Sequence, residues 1–223
     1  MKKLLISLMA VLFLGSLFAL ESDPSDVVGY IKYDIVTTAG TNLNFVTNAL
    51  DAGYAMAGNL GDAITGCSTV NEWDETTQGW NGAINMGGWW LNDYAVAAGL
   101  PYMVDVTAAS SFYSAGGLFD PIPTFTIITT AGTNLNDISL KLDKSYLTMA
   151  GAMGDEIGAV STVNGWDAAT QGWNGAINMG GWWLNDFAIS LGDAFLIDVT
   201  AGSVWSDTPI PIAKKDNTVQ LNK

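Results

Sequence analysis

The chain has 223 residues and carries eight lysines, no arginine and no histidine against 22 acidic residues, a formal charge of −14 at pH 7. That balance lacks the basic footprint that nucleic-acid binding requires, and it disfavours anionic lipid surfaces. Without histidine there is no Ser-His-Asp or Cys-His machinery and no His-ligated zinc, and without arginine there is no bidentate anion clamp.

Residues 1–19 read as a signal peptide. Lys2 and Lys3 form a short positive start, Leu4 to Phe18 is an apolar run broken by Ser7, Gly15 and Ser16, and Ala19 offers a small residue before the polar Glu21-Ser22-Asp23-Pro24. A membrane anchor is the competing reading, but the run is short for a helix crossing about 30 Å of hydrocarbon. No cysteine follows it to carry a lipid. Cleavage leaves six lysines against 22 acidic residues, a charge of −16. The mature chain is expected to be periplasmic, cell-surface or secreted, with no membrane span.

Self-comparison then organises the rest. Thr37 to Asn44 recurs as Thr129 to Asn136, Met56-Ala-Gly58 as Met149-Ala-Gly151, and Ser68 to Asn71 as Ser161 to Asn164. Trp73 to Asp93 recurs as Trp166 to Asp186 with 19 of 21 positions identical; only Glu75/Ala168 and Thr76/Ala169 differ. The expected modules run over 27–118 and 122–213, joined by a Gly- and Pro-bearing stretch, with a polar tail at 214–223. The late strand of each copy differs by volume-preserving swaps such as Tyr94/Phe187 and Tyr102/Phe195, which a packed core tolerates. Cys67, the single cysteine, is matched by Val160 and reads as a small buried hydrophobe.

Within one module the first predicted element is a half-buried strand. Val46 and Leu50, with Ile138, Leu140 and Leu142, alternate with Thr47 and with Asp137, Ser139 and Lys141. A short helix follows, its stripe Met56, Leu60, Ile64 repeated as Met149, Met153, Ile157 and weakened by Gly58, Gly61, Gly151 and Gly154. Val70 to Trp73 is the next strand, Asp74 to Gln78 a loop in which Asp74 accepts backbone N–H bonds, and Trp80 to Met86 the returning strand. Tyr102, Val104 and Val106, with Phe195, Ile197 and Val199, give the last alternation. The fold class is mainly β with one short helix per repeat (α+β), expected as two tandem β-sandwich-like modules.

Candidate chemistry is sparse. The carboxylates Asp74, Asp93 and Asp105, repeated as Asp167, Asp186 and Asp198, could form an acid–base pair. They read more simply as a turn cap, a loop residue and a strand end, so no catalytic residue is expected. Eight of nine tryptophans form the repeated set Trp73, Trp80, Trp89, Trp90 and Trp166, Trp173, Trp182, Trp183. In extended backbone Trp89 and Trp90 point to opposite faces, one to the core and one to solvent. An outward ring beside Asn92 and Asp93 offers a flat apolar platform with hydrogen-bonding neighbours, which suits a sugar. The candidate ligand residues are Trp80, Trp89, Trp90, Asn92, Asp93, Trp173, Trp182, Trp183, Asn185 and Asp186. The competing use of the same rings is core mass. No cofactor is expected; calcium at Asn92-Asp93 and Asn185-Asp186 is a weak candidate, because no Asp-x-Asp-x-Asp-Gly loop is present.

The order Thr-Thr-Ala-Gly-Thr-Asn-Leu-Asn, Met-Ala-Gly, Trp-Asp-x-x-Thr-Gln-x-Trp and a late x-Val-Thr resembles the tandem modules of uncharacterised secreted bacterial surface proteins. The resemblance implies an exported, β-rich, repeat-built, non-catalytic protein and brings no ligand with it. The expected function is a structural or interaction protein of the envelope or extracellular space. Its partner would be an envelope or matrix protein, or a second copy of itself. The alternative is a bivalent carbohydrate-binding protein that takes a polysaccharide.

Overall fold

The computed structural model describes residues 29–206, apart from positions 41, 131 and 133. The expected signal peptide and polar tail lie outside the described residues. The described chain is mainly β, arranged in four antiparallel sheets with two short helices.

The first half runs β1 (Gly29–Ile35), β2 (Leu43–Thr47), α1 (Ala57–Ala63), β3 (Cys67–Asp74), β4 (Gly79–Asn85), β5 (Trp90–Leu91), β6 (Pro101–Val106) and β7 (Ser110–Gly116). The second runs β8 (Phe125–Ile127), β9 (Leu135–Ser139), a 3-10 turn at Leu142–Lys144, α2 (Ala150–Ile157), β10 (Val160–Asp167), β11 (Gly172–Asn178), β12 (Trp183–Leu184), β13 (Ala194–Val199) and β14 (Ser203–Trp205). One five-stranded sheet has the order β2-β6-β3-β4-β5, and the other is β9-β13-β10-β11-β12, position for position the same. β1 pairs with β7 and β8 with β14 as two-stranded ribbons.

The inner face of each five-stranded sheet carries the core. Val46, Val70, Val104 and Tyr102 meet Leu60 of α1 and Ile64 just past its end, with Ile35 and Phe112 from the ribbon. Ile138, Val163, Ile197 and Phe195 meet Met153 and Ile157 of α2, with Phe125, Ile127 and Trp205. β-Branched residues supply the strand interiors because they fit a pleated, buried surface.

Three expectations change. The ribbons are additional strands, although Ile31, Tyr33 and Ile35 alternate with exposed Tyr30, Lys32 and Asp34 in a readable period of two. Met56 and Met149 sit at the N-caps rather than on the helical stripe. The strand around Ile138 is buried on both faces: Asp137 and Ser139 are as enclosed as Ile138. Its second face is covered because the other repeat packs there.

Candidate functional site

Most of the near-identical motif residues meet at the junction between the two copies. The chain before β2 is pinned by two asparagines. Asn42 Oδ1 accepts from Thr38 N–H at 2.7 Å, and Asn44 exchanges two bonds with the Val36 backbone at 2.9 and 3.0 Å. Asn134 and Asn136 repeat this with Thr130 and Ile128. The Asn-Leu-Asn motif thereby holds Leu43 and Leu135 on the open edges of β2 and β9.

Each of those leucines is taken by the Trp-Asp-x-x-Thr-Gln-x-Trp hairpin of the other copy. Gln78 donates from Nε2 to the Leu135 carbonyl at 2.9 Å and accepts the Leu135 N–H at 2.8 Å, while Trp73 Nε1 donates to the same carbonyl at 2.9 Å. Reciprocally, Gln171 donates to the Leu43 carbonyl at 2.9 Å and accepts its N–H at 2.8 Å, and Trp166 donates to it at 2.8 Å. The glutamines reach this position from left-handed backbone, φ 53° in both copies. Asp74 Oδ1 holds the turn by accepting from Thr76 and Thr77 N–H at 2.8 and 3.1 Å. Hydrogen bonding to the Thr77 hydroxyl leads the effects that hold the Asp74 carboxyl below its usual range. A second reciprocal pair lies nearby. Thr47 Oγ1 donates to the Gly192 carbonyl at 3.2 Å, and Ser139 Oγ donates to that of Gly99 at 2.5 Å. Phe45 stands between the hairpins, 6.2 Å from Trp80 and 5.9 Å from Trp173.

The adjacent tryptophans divide as their alternation requires. Trp90 lies on α1, its Nε1 donating to Asp62 at 2.9 Å; Trp183 does the same to Asp155. A Cβ on Gly58 or Gly61 would overlap the Trp90 ring, and one on Gly151 or Gly154 would overlap Trp183. These glycines open the groove that the indole fills. Asp93 and Asp186 accept from Gly58 and Gly151 N–H at 2.8 Å and so satisfy the first turns of the helices. Asn92 and Asn185 adopt left-handed φ of 55° and 54° in the turn between, a conformation asparagine tolerates. Asn85 and Asn178 bond within the Gly-Gly turn. The polar residues that make the Trp segment look like a sugar site are therefore committed largely to turns and caps.

The large exposed side chains of this segment are apolar. Ile84, Met86, Trp89 and Leu91 are 40%, 51%, 56% and 39% exposed, and Ile177, Met179, Trp182 and Leu184 repeat these values at 38%, 51%, 55% and 39%. Trp80 and Trp173 are half-exposed and, with Leu43, Asn71, Met103 and Trp166, line a junction cleft of about 410 Å³. Among the described residues no group of three His, Cys, Asp or Glu is placed to hold a metal ion. No helix of the described chain is long and apolar enough to cross a membrane. Composition and alternation do not mark Gln78, Gln171, Leu43 and Leu135 as site residues, although the repeated Thr-Gln and Asn-Leu-Asn motifs contain them. Protein-family models, curated proteins and solved structures yield no match to this chain.

Proposed function

We propose that this is an exported, non-catalytic interaction protein of the cell envelope or extracellular space, built from two modules over 27–118 and 122–213. Each module is a small sandwich-like unit, and the pair presents two equivalent apolar strips. The observation that carries this reading is the strip Ile84, Met86, Trp89, Leu91, exposed to the same degree in both copies. Exposed contiguous apolar surface marks contact sites, and two equal strips on one chain let a bivalent contact gain avidity without new chemistry. The strip ends in the edge strand of its sheet, with Leu91 in β5 and Leu184 in β12, each strand only two residues long.

The test is binding of the purified chain to isolated envelope fractions. Trp89→Ser with Trp182→Ser should abolish saturable binding while circular dichroism stays unchanged. Equal binding by a folded double variant would overturn the reading.

Polysaccharide is the second reading, favoured by the half-exposed rings of Trp80 and Trp173 in the junction cleft beside Asn71. Sugars combine apolar ring faces with hydroxyls, and this cleft offers aromatic faces and one amide. A glycan screen followed by Trp80→Ala and Trp173→Ala separates the two readings, because neither residue belongs to the Met86–Trp89 turn.

A further inference from the structure

The junction is reciprocal in its backbone clasps but not in the side chains beside them. Asp137 of β9 is 2% exposed, and neither of its carboxyl oxygens has a hydrogen-bond partner. The Glu75 side chain, from the hairpin that grips Leu135, lies against it. Glu72 on β3 adds a further acidic group. The phenols of Tyr94 and Tyr102 feel the same charges, and Tyr94 donates to the Val70 carbonyl at 3.0 Å. Apart from its own backbone N–H, which opposes the rise, the groups acting on Asp137 are acidic.

The other side of the junction lacks these five groups; its own raised carboxyl, Asp193, lines the cavity beside Phe45 and Tyr33 but accepts the Ser190 N–H at 2.7 Å. Phe45 stands where Asp137 would be, Ala168 for Glu75, Gly165 for Glu72, Phe187 for Tyr94 and Phe195 for Tyr102. Glu75/Ala168 is one of only two differences in the 21-residue segment. Five positions thus differ together, polar on one side and apolar or glycine on the other. A packing role alone would be served equally by either set.

We propose that Asp137 keeps its proton and points it at the Glu75 side chain across the junction, an acid-set latch on that side alone. A buried carboxyl beside a second carboxylate, with no cation among the groups acting on it, keeps its proton and can donate it to that neighbour. When that proton leaves, the buried Asp137 carries an unpaired negative charge beside the acidic Glu75. Burial and then the Glu75 carboxyl push Asp137 well above the usual carboxylate range. A carboxyl whose proton is held more tightly in the folded than in the unfolded chain adds stability at low pH and loses it as pH rises toward its folded value. Acid therefore closes the latch, and rising pH loosens it.

The Leu43 clasp on the Phe45 side is a built-in reference. Amide exchange at Leu135 and Leu43 should be measured on the full chain from pH 5 to 8. The protection of Leu135 relative to Leu43 should fall as pH rises, and Asp137→Asn should hold that ratio constant. Asp137→Asn should also melt several degrees higher than the parent at pH 8. A ratio independent of pH in the parent chain, or the same slope in the variant, would overturn the latch. Should Asp137→Asn not fold, Glu75→Ala, which copies the Ala168 side, must flatten the ratio in its place. A slope that persists in a folded Glu75→Ala chain counts against the proposal.

Discussion

Gln171 pairs with Leu43 as a strand would: its side-chain amide donates to the Leu43 carbonyl and accepts the Leu43 N–H, at 2.9 and 2.8 Å. One side chain thus satisfies both backbone groups of a residue on an open sheet edge. Exposed edges invite pairing with other chains, and this contact covers the edge of β2 without adding a strand. Gln78 does the same for Leu135 on β9.

Removing either amide should cost stability. Gln171→Ala leaves a part-buried N–H and carbonyl with fewer partners, and about 1–3 kcal/mol is expected from denaturant midpoints. Gln78→Ala should cost a similar amount, and the double variant close to the sum if the two clasps act independently. A neutral Gln171→Ala would mean that water replaces the amide at no cost.

Gly61→Ala sets two effects against each other. Helix propensity alone would favour alanine by about 1 kcal/mol. The new Cβ, however, would overlap the Trp90 ring and force it off the helix. Overpacking of this kind costs about 1–3 kcal/mol, so a net loss is expected, with a red shift of Trp fluorescence. Gly154→Ala should repeat the result through Trp183.

The adjacent tryptophans should respond oppositely to truncation. Trp89→Ser is expected to change stability by no more than about 0.5 kcal/mol, since its ring is exposed. Trp90→Ala empties the groove over Gly58 and Gly61 and should cost about 3 kcal/mol. Thermal unfolding of the two single variants at one pH makes the comparison.

Cys67 should be chemically silent in the folded chain. It is 7% exposed, its thiol donates to the Thr69 carbonyl at 3.3 Å, and burial pushes it up to about 12. The thiolate is the reactive form, so alkylation at pH 8 should proceed only as fast as the chain opens. Labelling on the timescale of a free thiol would contradict this.

The sequence carries the element order well where the period is strong. The Val70, Trp80 and Tyr102 strands, the helix and the Asp74 turn all appear where alternation and turn chemistry place them. The ribbons were harder, because β8 and β14 are three residues each and offer too little pattern. The role of the Trp-rich segment was legible only in part. Alternation separates Trp89 from Trp90, but no local signal says that Gln78 reaches a leucine 57 residues away. The glycines at 58 and 61 read as helix weaknesses because propensity is local, whereas the indole that needs their missing side chains comes from a strand some thirty residues on. The unusual likeness of the copies from Trp73 to Asp93 was the available clue. Trp73, Asp74 and Gln78 form the clasp, and Trp90 and Asp93 hold the helix, so several of these residues are fixed twice by the same geometry.

The most direct test of the reciprocal clasp is an NMR measurement of the Gln78 and Gln171 side-chain amides in the full chain. Both Nε2 groups should show slowed exchange. Contacts should link Gln171 to the Trp166 indole N–H and the Leu43 amide, and Gln78 to the Trp73 indole N–H and the Leu135 amide. Amide groups that exchange as freely as a solvated glutamine, with no contact across the repeats, would contradict it.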